Sequence, residues 1–205
     1  MSGNDDVTAA STAPDLDKSA WRTRVLAARR ALDGQVRDTE ADLLSQHVLT
    51  VADGCAVLAA YVPVGTEPGS LAMLDAVRAQ GTRVLLPLTG AAGDPLDWAE
   101  YEGADRLVPA AHRLREPAAP ALGPHAIAQA EVVLLPALAV DRAGTRLGRG
   151  AGCYDRSLPL ASPSARLVAV VRAAEVVARL PREQHDIPVS AALTPAGLIR
   201  LGNAL

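Results

Sequence analysis

The sequence predicts an α/β protein: a single three-layer α/β/α domain built on a mostly parallel sheet. Three observations carry this expectation. Compact apolar runs recur at 55–61, 83–88, 131–140 and 166–171, as strands buried on both faces do. A helix-forming segment separates the first two runs, making a β-α-β unit that favours parallel pairing and a right-handed crossover. The chain has 205 residues with no internal repeat, enough for one domain with a substantial core.

The elements follow in chain order. Residues 1–14 are small, polar and unpatterned, and read as a disordered tail ahead of a domain at 15–205. A first helix is expected to start near 15–18, with Asp17 as N-cap. The stretch KSAWRTRVLAARRAL has strong helical propensity. A second helix is expected over about Val36 to Val51. The run CAVLAAY at 55–61, bounded by Gly54 and Pro63, reads as a buried strand. A helix over 69–80 and the strand RVLLPL at 83–88 complete the β-α-β unit. Residues 89–124 are rich in Gly, Pro and Ala, with a short edge strand at 96–101. A third buried strand is expected over 131–140, then a glycine-rich loop, a short helix near 154–160 and a fourth strand at 166–171. Residues 173–180 read as helix, and 191–201 as a last strand.

Apolar residues make up 49% and charged residues 21% of the chain, ordinary values for a soluble globular protein. The net charge of −3 argues against a general nucleic-acid or membrane binder. No apolar run reaches the length of a membrane span, and the N-terminus lacks the apolar core of a signal peptide. A cytoplasmic monomer is expected. Cys55 and Cys153 have no C-x-x-C spacing, so neither a zinc site nor a redox pair is indicated. With no Phe, aromatic contact to a ligand falls to Trp21, Trp98, Tyr61, Tyr101 and Tyr154.

The most informative segment is DRAGTRLGRGAGCYD at 141–155. Gly148, Gly150 and Gly152 allow backbone N–H groups to approach an anion closely. The loop follows a buried strand and precedes a helix, whose N-terminus favours negative charge. Arg146 and Arg149 add cations suited to phosphate, and Asp155 a carboxylate suited to Mg²⁺. The segment is neither a Rossmann fingerprint nor a Walker A loop, and spacing alone also allows a plain flexible turn.

Three further groups are weaker. Lys18 and Arg22 share one face of the first helix, where an anionic ligand would offset their conflict with the helix dipole. Arg24, Arg29 and Arg30 nearby favour a solvated basic face instead. Glu67, at the carboxyl end of the 55–61 strand, is placed to accept ligand N–H groups or to serve as an ordinary loop acid. Asp186, in the pair His185–Asp186, is a second carboxylate for a metal or part of a surface turn. Cys153 has no nearby histidine in sequence to activate it as a nucleophile.

Taken in order, these pieces resemble the 5-formyltetrahydrofolate cyclo-ligase family, also called methenyltetrahydrofolate synthetase. The match spans roughly 18–195: KSAWR at 18–22, YVPVGTE at 61–67, REP at 115–117, VLLPALAVD at 133–141, RLGRGAGCYD at 146–155 and HDIPV at 185–189. The resemblance implies the family's three-layer α/β fold and an ATP- and Mg²⁺-dependent ligase. Its reaction closes 5-formyltetrahydrofolate to 5,10-methenyltetrahydrofolate, releasing ADP and phosphate. It implies ATP contacts at Lys18, Arg22, Arg146, Leu147, Gly148, Arg149, Gly150, Ala151, Gly152, Cys153 and Tyr154. Reduced-folate contacts fall on Val62, Glu67, Arg149, Gly150, Ala151, Gly152 and Cys153. Asp155 and Asp186 would hold Mg²⁺, and Arg149 with Lys18 would act on the transferred phosphoryl group. Two positions depart from the family pattern: Ala151 stands where Gly or Lys is usual, and Cys153 where an aromatic, commonly Tyr, is usual. Two alternatives stay open: a non-catalytic ATP- and folate-binding regulatory paralogue, and a sugar-phosphate isomerase on a similar scaffold. A non-catalytic protein-interaction domain is disfavoured by the charged and glycine residues at strand ends.

Overall fold

The computed structural model describes residues 16–111, 114–183 and 186–202. The tail expected at 1–14 and His185 of the His185–Asp186 pair lie outside these residues. Helix α1 spans Lys18–Ala31 and α2 spans Gly34–Ala52. Asp17 caps α1 as expected, its Oδ1 accepting from the Ala20 amide at 2.7 Å. Asp33 caps α2, which starts at Gly34, two residues ahead of the expected Val36.

The main sheet has seven strands in the order β12-β11-β9-β6-β1-β2-β3. These are β1 (Val57–Ala59), β2 (Arg83–Leu88), β3 (Asp97–Glu100), β6 (Val132–Pro136), β9 (Arg166–Val170), β11 (Ala191–Thr194) and β12 (Gly197–Arg200). Strands β11, β9, β6, β1 and β2 run parallel, and only the edges β12 and β3 pair antiparallel. The mostly parallel sheet is therefore as expected.

Alternation along the strands makes three layers. Leu58, Val84, Leu86, Val132 and Leu134 face α2 and α3 (Leu71–Ala79), which bury Leu44, Val48, Val51, Met73, Leu74 and Val77. Ala59, Leu85, Val133 and Leu135 face the other way, onto Trp98, Ile127, Leu158 and the apolar side of α4 (Cys153–Ser157). That second layer is thin: besides α4 it is built largely of single 3₁₀ segments, Pro124–Gln129 and Leu158–Leu160. Helix α1 lies elsewhere, packing Val25 and Trp21 against Leu138, Leu147 and Leu180.

Three expectations are corrected. The strand expected over 131–140 is broken at Pro136, which cannot donate to a ladder. The chain then enters β7 (Ala139–Asp141), in a small sheet with β8 (Arg146–Leu147) and β10 (Val176–Val177). The helix expected over 173–180 is a 3₁₀ turn at Ala173–Glu175 followed by β10. Its helical propensity is overridden by long-range pairing, because Glu175 is held by Arg29 and β10 pairs with β7. The last strand is a hairpin, β11–β12. Unforeseen in the Gly/Pro-rich stretch is a two-stranded ladder of β4 (Leu107–Pro109) and β5 (Arg115–Pro117).

From β1 the chain passes to β2 on one side, while β6, β9 and β11 lie on the other. The order therefore reverses between β1 and β6, and in such sheets the crevice at the strands' carboxyl ends is the usual ligand site. The loops after β1 and β6 open there. No helix among the described residues is long and apolar enough to cross a membrane.

Candidate active site

Two cavities meet at the carboxyl end of the sheet, along the glycine loop that joins β8 to α4. The larger holds about 630 Å³ and includes Tyr61, Val62, Glu67, Arg149, Cys153 and Tyr154 in its wall. This volume suits a drug-sized organic ligand. The smaller, about 250 Å³, is lined by Lys18, Arg22, Arg146, Leu147, Asp155, Glu183 and Asp186. Gly148, Gly150 and Gly152 border both. Every residue that the resemblance assigns to ATP, folate or metal lies in one wall or the other; Ala151 is in the larger.

The glycines have local reasons. Gly152 caps α4 in the left-handed region, at φ +70°, and a Cβ there would stand 2.7 Å from Arg156 Nη1. Gly150 has φ +101°, and a Cβ would meet the Arg22 guanidinium at 3.4 Å. Arg22 thus lies against the loop backbone, its Nε donating to the Gly148 carbonyl at 3.0 Å. Asp17 capping starts α1 in time to bring Lys18 and Arg22 to this wall. The Lys18–Arg22 face is therefore part of a cavity.

Arg146 is nearly buried. Its Nη2 donates to Asp155 Oδ1 at 2.7 Å, its guanidinium lies 5.8 Å from the Tyr154 ring centroid, and its buried Nε has no partner among the described residues. Lys18 Nζ donates to both oxygens of Asp186, at 3.1 and 2.9 Å, and lies 3.3 Å from Glu183. The two carboxylates expected to hold a metal thus line one cavity, but each is bound to a cation. Among the described residues no group of three or more His, Cys, Asp or Glu side chains forms a metal cage. Two carboxylate donors do suit Mg²⁺, which takes one or two carboxylates and completes its shell with phosphate oxygens and water.

On the side of the larger cavity, Glu67 Oε2 accepts from the Val64 amide at 2.9 Å and Oε1 from Arg149 Nε at 2.8 Å. The Tyr61 hydroxyl donates to the Pro68 carbonyl at 2.6 Å, closing the 61–68 loop on itself. Burial first, and the Glu67 charge second, push the Tyr61 and Tyr154 hydroxyls well above the ordinary 10.0. Both are neutral at physiological pH. Of the other aromatic candidates, Trp98 and Tyr101 are buried in the core, and Trp21 packs on α1's own cluster.

Sequence reasoning missed a buried ion chain behind this wall. Arg29, expected on a solvated face, is 1% exposed and pairs with Glu175 at 2.6 Å. Arg172 donates to Glu40 at 2.6 Å and to the Thr66 carbonyl at 3.0 Å, beside Glu67. The partners are far apart in the chain, so no local spacing betrays them.

The chain matches the model of the 5-formyltetrahydrofolate cyclo-ligase family over residues 15–195. It is 46% identical over 189 residues to the 5-formyltetrahydrofolate cyclo-ligase of Mycolicibacterium smegmatis, covering 90% of this chain and 97% of that protein. The enzyme of the same name from Escherichia coli K12 is 28% identical over 142 residues, 68% of this chain and 78% of the relative. Among solved structures, the 5,10-methenyltetrahydrofolate synthetase of Aquifex aeolicus superposes with a TM-score of 0.77 at 25% identity, covering 92% of this chain and 94% of the other. That of Mycoplasma pneumoniae gives 0.70 at 16% identity over 86% and 98%, a likeness of fold. On the matched span and the identity to its curated relatives, the chain belongs to the 5-formyltetrahydrofolate cyclo-ligase family, a family of ligases.

Proposed function

We propose that this chain catalyses the ATP- and Mg²⁺-dependent cyclisation of 5-formyltetrahydrofolate to 5,10-methenyltetrahydrofolate, with release of ADP and phosphate. One observation carries the reading: a small chamber that sets Lys18, Arg22 and Arg146 beside the carboxylates of Asp155 and Asp186, and a larger chamber that holds Glu67, meet along one glycine loop. The reaction needs that juxtaposition, because a phosphoryl group must pass from a polyanion to an organic oxygen.

The formamide oxygen of the substrate is a poor leaving group. Phosphorylating it gives an imidate-like phosphate ester; N10 then attacks the formyl carbon, the C–O bond breaks, and phosphate departs with the N10 proton. Lys18, Arg22 and Arg146 bind the triphosphate by charge, and the 148–152 backbone positions it. Asp155 and Asp186 would hold Mg²⁺, which would supply charge neutralisation to the phosphates. Glu67 accepts ring N–H groups of the pterin and, with Val62, orients it. Arg149, in the wall of the larger chamber between the shared Gly148 and Gly150, stabilises charge on the transferred group.

Purified protein given 5-formyltetrahydrofolate, ATP and Mg²⁺ should develop the methenyl absorbance, and no signal beside an active control enzyme refutes the reading. Binding of both ligands without turnover supports the regulatory paralogue instead. Family membership removes the reason to consider a sugar-phosphate isomerase.

A further inference from the structure

Arg29 is 1% exposed, yet it forms part of the wall of the larger cavity. Its guanidinium is clamped on two edges. Nε and Nη2 donate to the two oxygens of Glu175 at 2.6 and 2.7 Å, and Nη2 also reaches the Ala137 carbonyl at 2.7 Å. Glu175 is fixed in turn by the Arg172 amide at 2.8 Å, and Arg172 by Glu40. A fork held in this way cannot swing to find another acceptor. Its remaining nitrogen, Nη1, is buried and has no hydrogen-bond partner among the described residues. A buried donor without an acceptor is costly and rare in native structures. In the wall of a ligand cavity, the ligand can supply the acceptor.

The electrostatics identify the kind of acceptor. Arg29 and Arg172 are balanced by Glu175 and Glu40 within one buried cluster. Arg29 therefore presents an N–H dipole with little net charge behind it. A phosphate would gain little from a donor whose charge is already balanced by Glu175. A neutral carbonyl oxygen fits. Glu67 accepts and Arg29 Nη1 donates, so one cavity offers both halves of the complement to a ring lactam, H–N–C=O.

We propose that Arg29 is a specificity-determining residue: Nη1 donates to the C4 carbonyl of the pteridine ring, selecting 4-oxo over 4-amino reduced folates. The assignment rests on the folate reading of the larger cavity. Arg172 and Glu175 are positioning residues that hold the fork; Arg172 also carries the Thr66 carbonyl, so donor and acceptor are set by one network.

The test compares 5-formyltetrahydrofolate with its 4-amino analogue by equilibrium binding. Wild-type protein should bind the analogue about tenfold or more weakly, the cost of an unmet buried hydrogen bond. In Arg29→Lys, whose amine still pairs with Glu175 but lacks Nη1, the ratio should fall to within about threefold, with ATP affinity unchanged. Equal binding of both ligands by wild type, or an unchanged ratio in folded Arg29→Lys, overturns the proposal. Should that variant fail to fold, wild-type protein answers alone. The Arg29 guanidinium ¹⁵N resonances should shift with 5-formyltetrahydrofolate and not with ATP, and no shift with the folate means a structural role only. Normal methenyl formation with an unchanged ratio removes Arg29 alone; a wild type that binds no folate removes the folate reading as well.

Discussion

Arg149 Nε donates to Glu67 Oε1 at 2.8 Å, tying the glycine loop to the loop after β1 across 82 residues of sequence. Arg149 is about half exposed while Glu67 is largely covered. An ion pair with one solvated member adds little to stability. Its consequence is positional. In the absence of ligands it joins the residue assigned to the pterin to the residue assigned to the phosphoryl group, and a pterin taking Glu67 would release Arg149 toward the smaller chamber.

Arg149→Ala should therefore lower kcat by about 100-fold, the scale of losing one preorganised donor to transition-state charge. ATP affinity should stay within about threefold, because Lys18, Arg22 and Arg146 remain, and the unfolding midpoint should be close to wild type. Steady-state rates, ATP titration calorimetry and urea unfolding check the three parts. An unchanged kcat removes Arg149 from the catalytic role.

The ion pair of Arg29 and Glu175 differs in kind from that of Arg83 and Glu100. The first has side chains 1% and 8% exposed, the second 44% and 43%. Glu175→Ala leaves a buried guanidinium without its counter-charge and should cost about 3–5 kcal/mol of unfolding free energy. Glu100→Ala should cost under about 1 kcal/mol. Urea unfolding of both variants reads the contrast directly, and equal losses would show that burial of the first pair is overstated.

Alkaline pH should destabilise the fold. Burial raises the hydroxyls of Tyr61, Tyr154 and Tyr101 above their ordinary 10.0, aided at Tyr101 by its bond to Asp75. The folded state thus holds these protons more tightly than the unfolded chain. Their contribution is fully present below the unfolded value and is lost as pH rises from about 10 through the folded values. Thermal midpoints should be insensitive to these groups at neutral pH and fall on the alkaline side of 10. Tyrosinate absorbance should rise together with unfolding.

How much of this was readable from sequence depended on locality. Lys18 with Arg22, Glu67, and the 146–155 loop are contiguous or turn-spaced signals, and the fold gathers them around two joined cavities. The parallel sheet was legible because β1, β2, β6 and β9 are short apolar runs. Pro136 stood in the sequence and marked the strand break. Arg29 was misread because only Glu175, 146 residues away, explains its burial. The 173–180 segment was misread for the same reason: its preference for helix is a weak local term, outweighed by Glu175 pairing and by β10 joining β7.

Cys153 should be dispensable for chemistry. It opens α4 in the wall of the larger cavity, with only weak contacts: the Ala151 carbonyl at 3.9 Å and Arg156 Nη2 at 3.8 Å. No histidine among the described residues lines that cavity, so the thiol has no imidazole there to activate it. Cys153→Ala should keep kcat within about twofold, since a thiol with no imidazole partner contributes packing alone. Cys153→Tyr should instead lower the KM for folate several-fold, because a ring there adds apolar contact to the ligand wall. A loss of kcat greater than about tenfold in Cys153→Ala would restore the nucleophile reading. Turnover measured at saturating ATP in both variants, against wild type, separates contact from catalysis at this position.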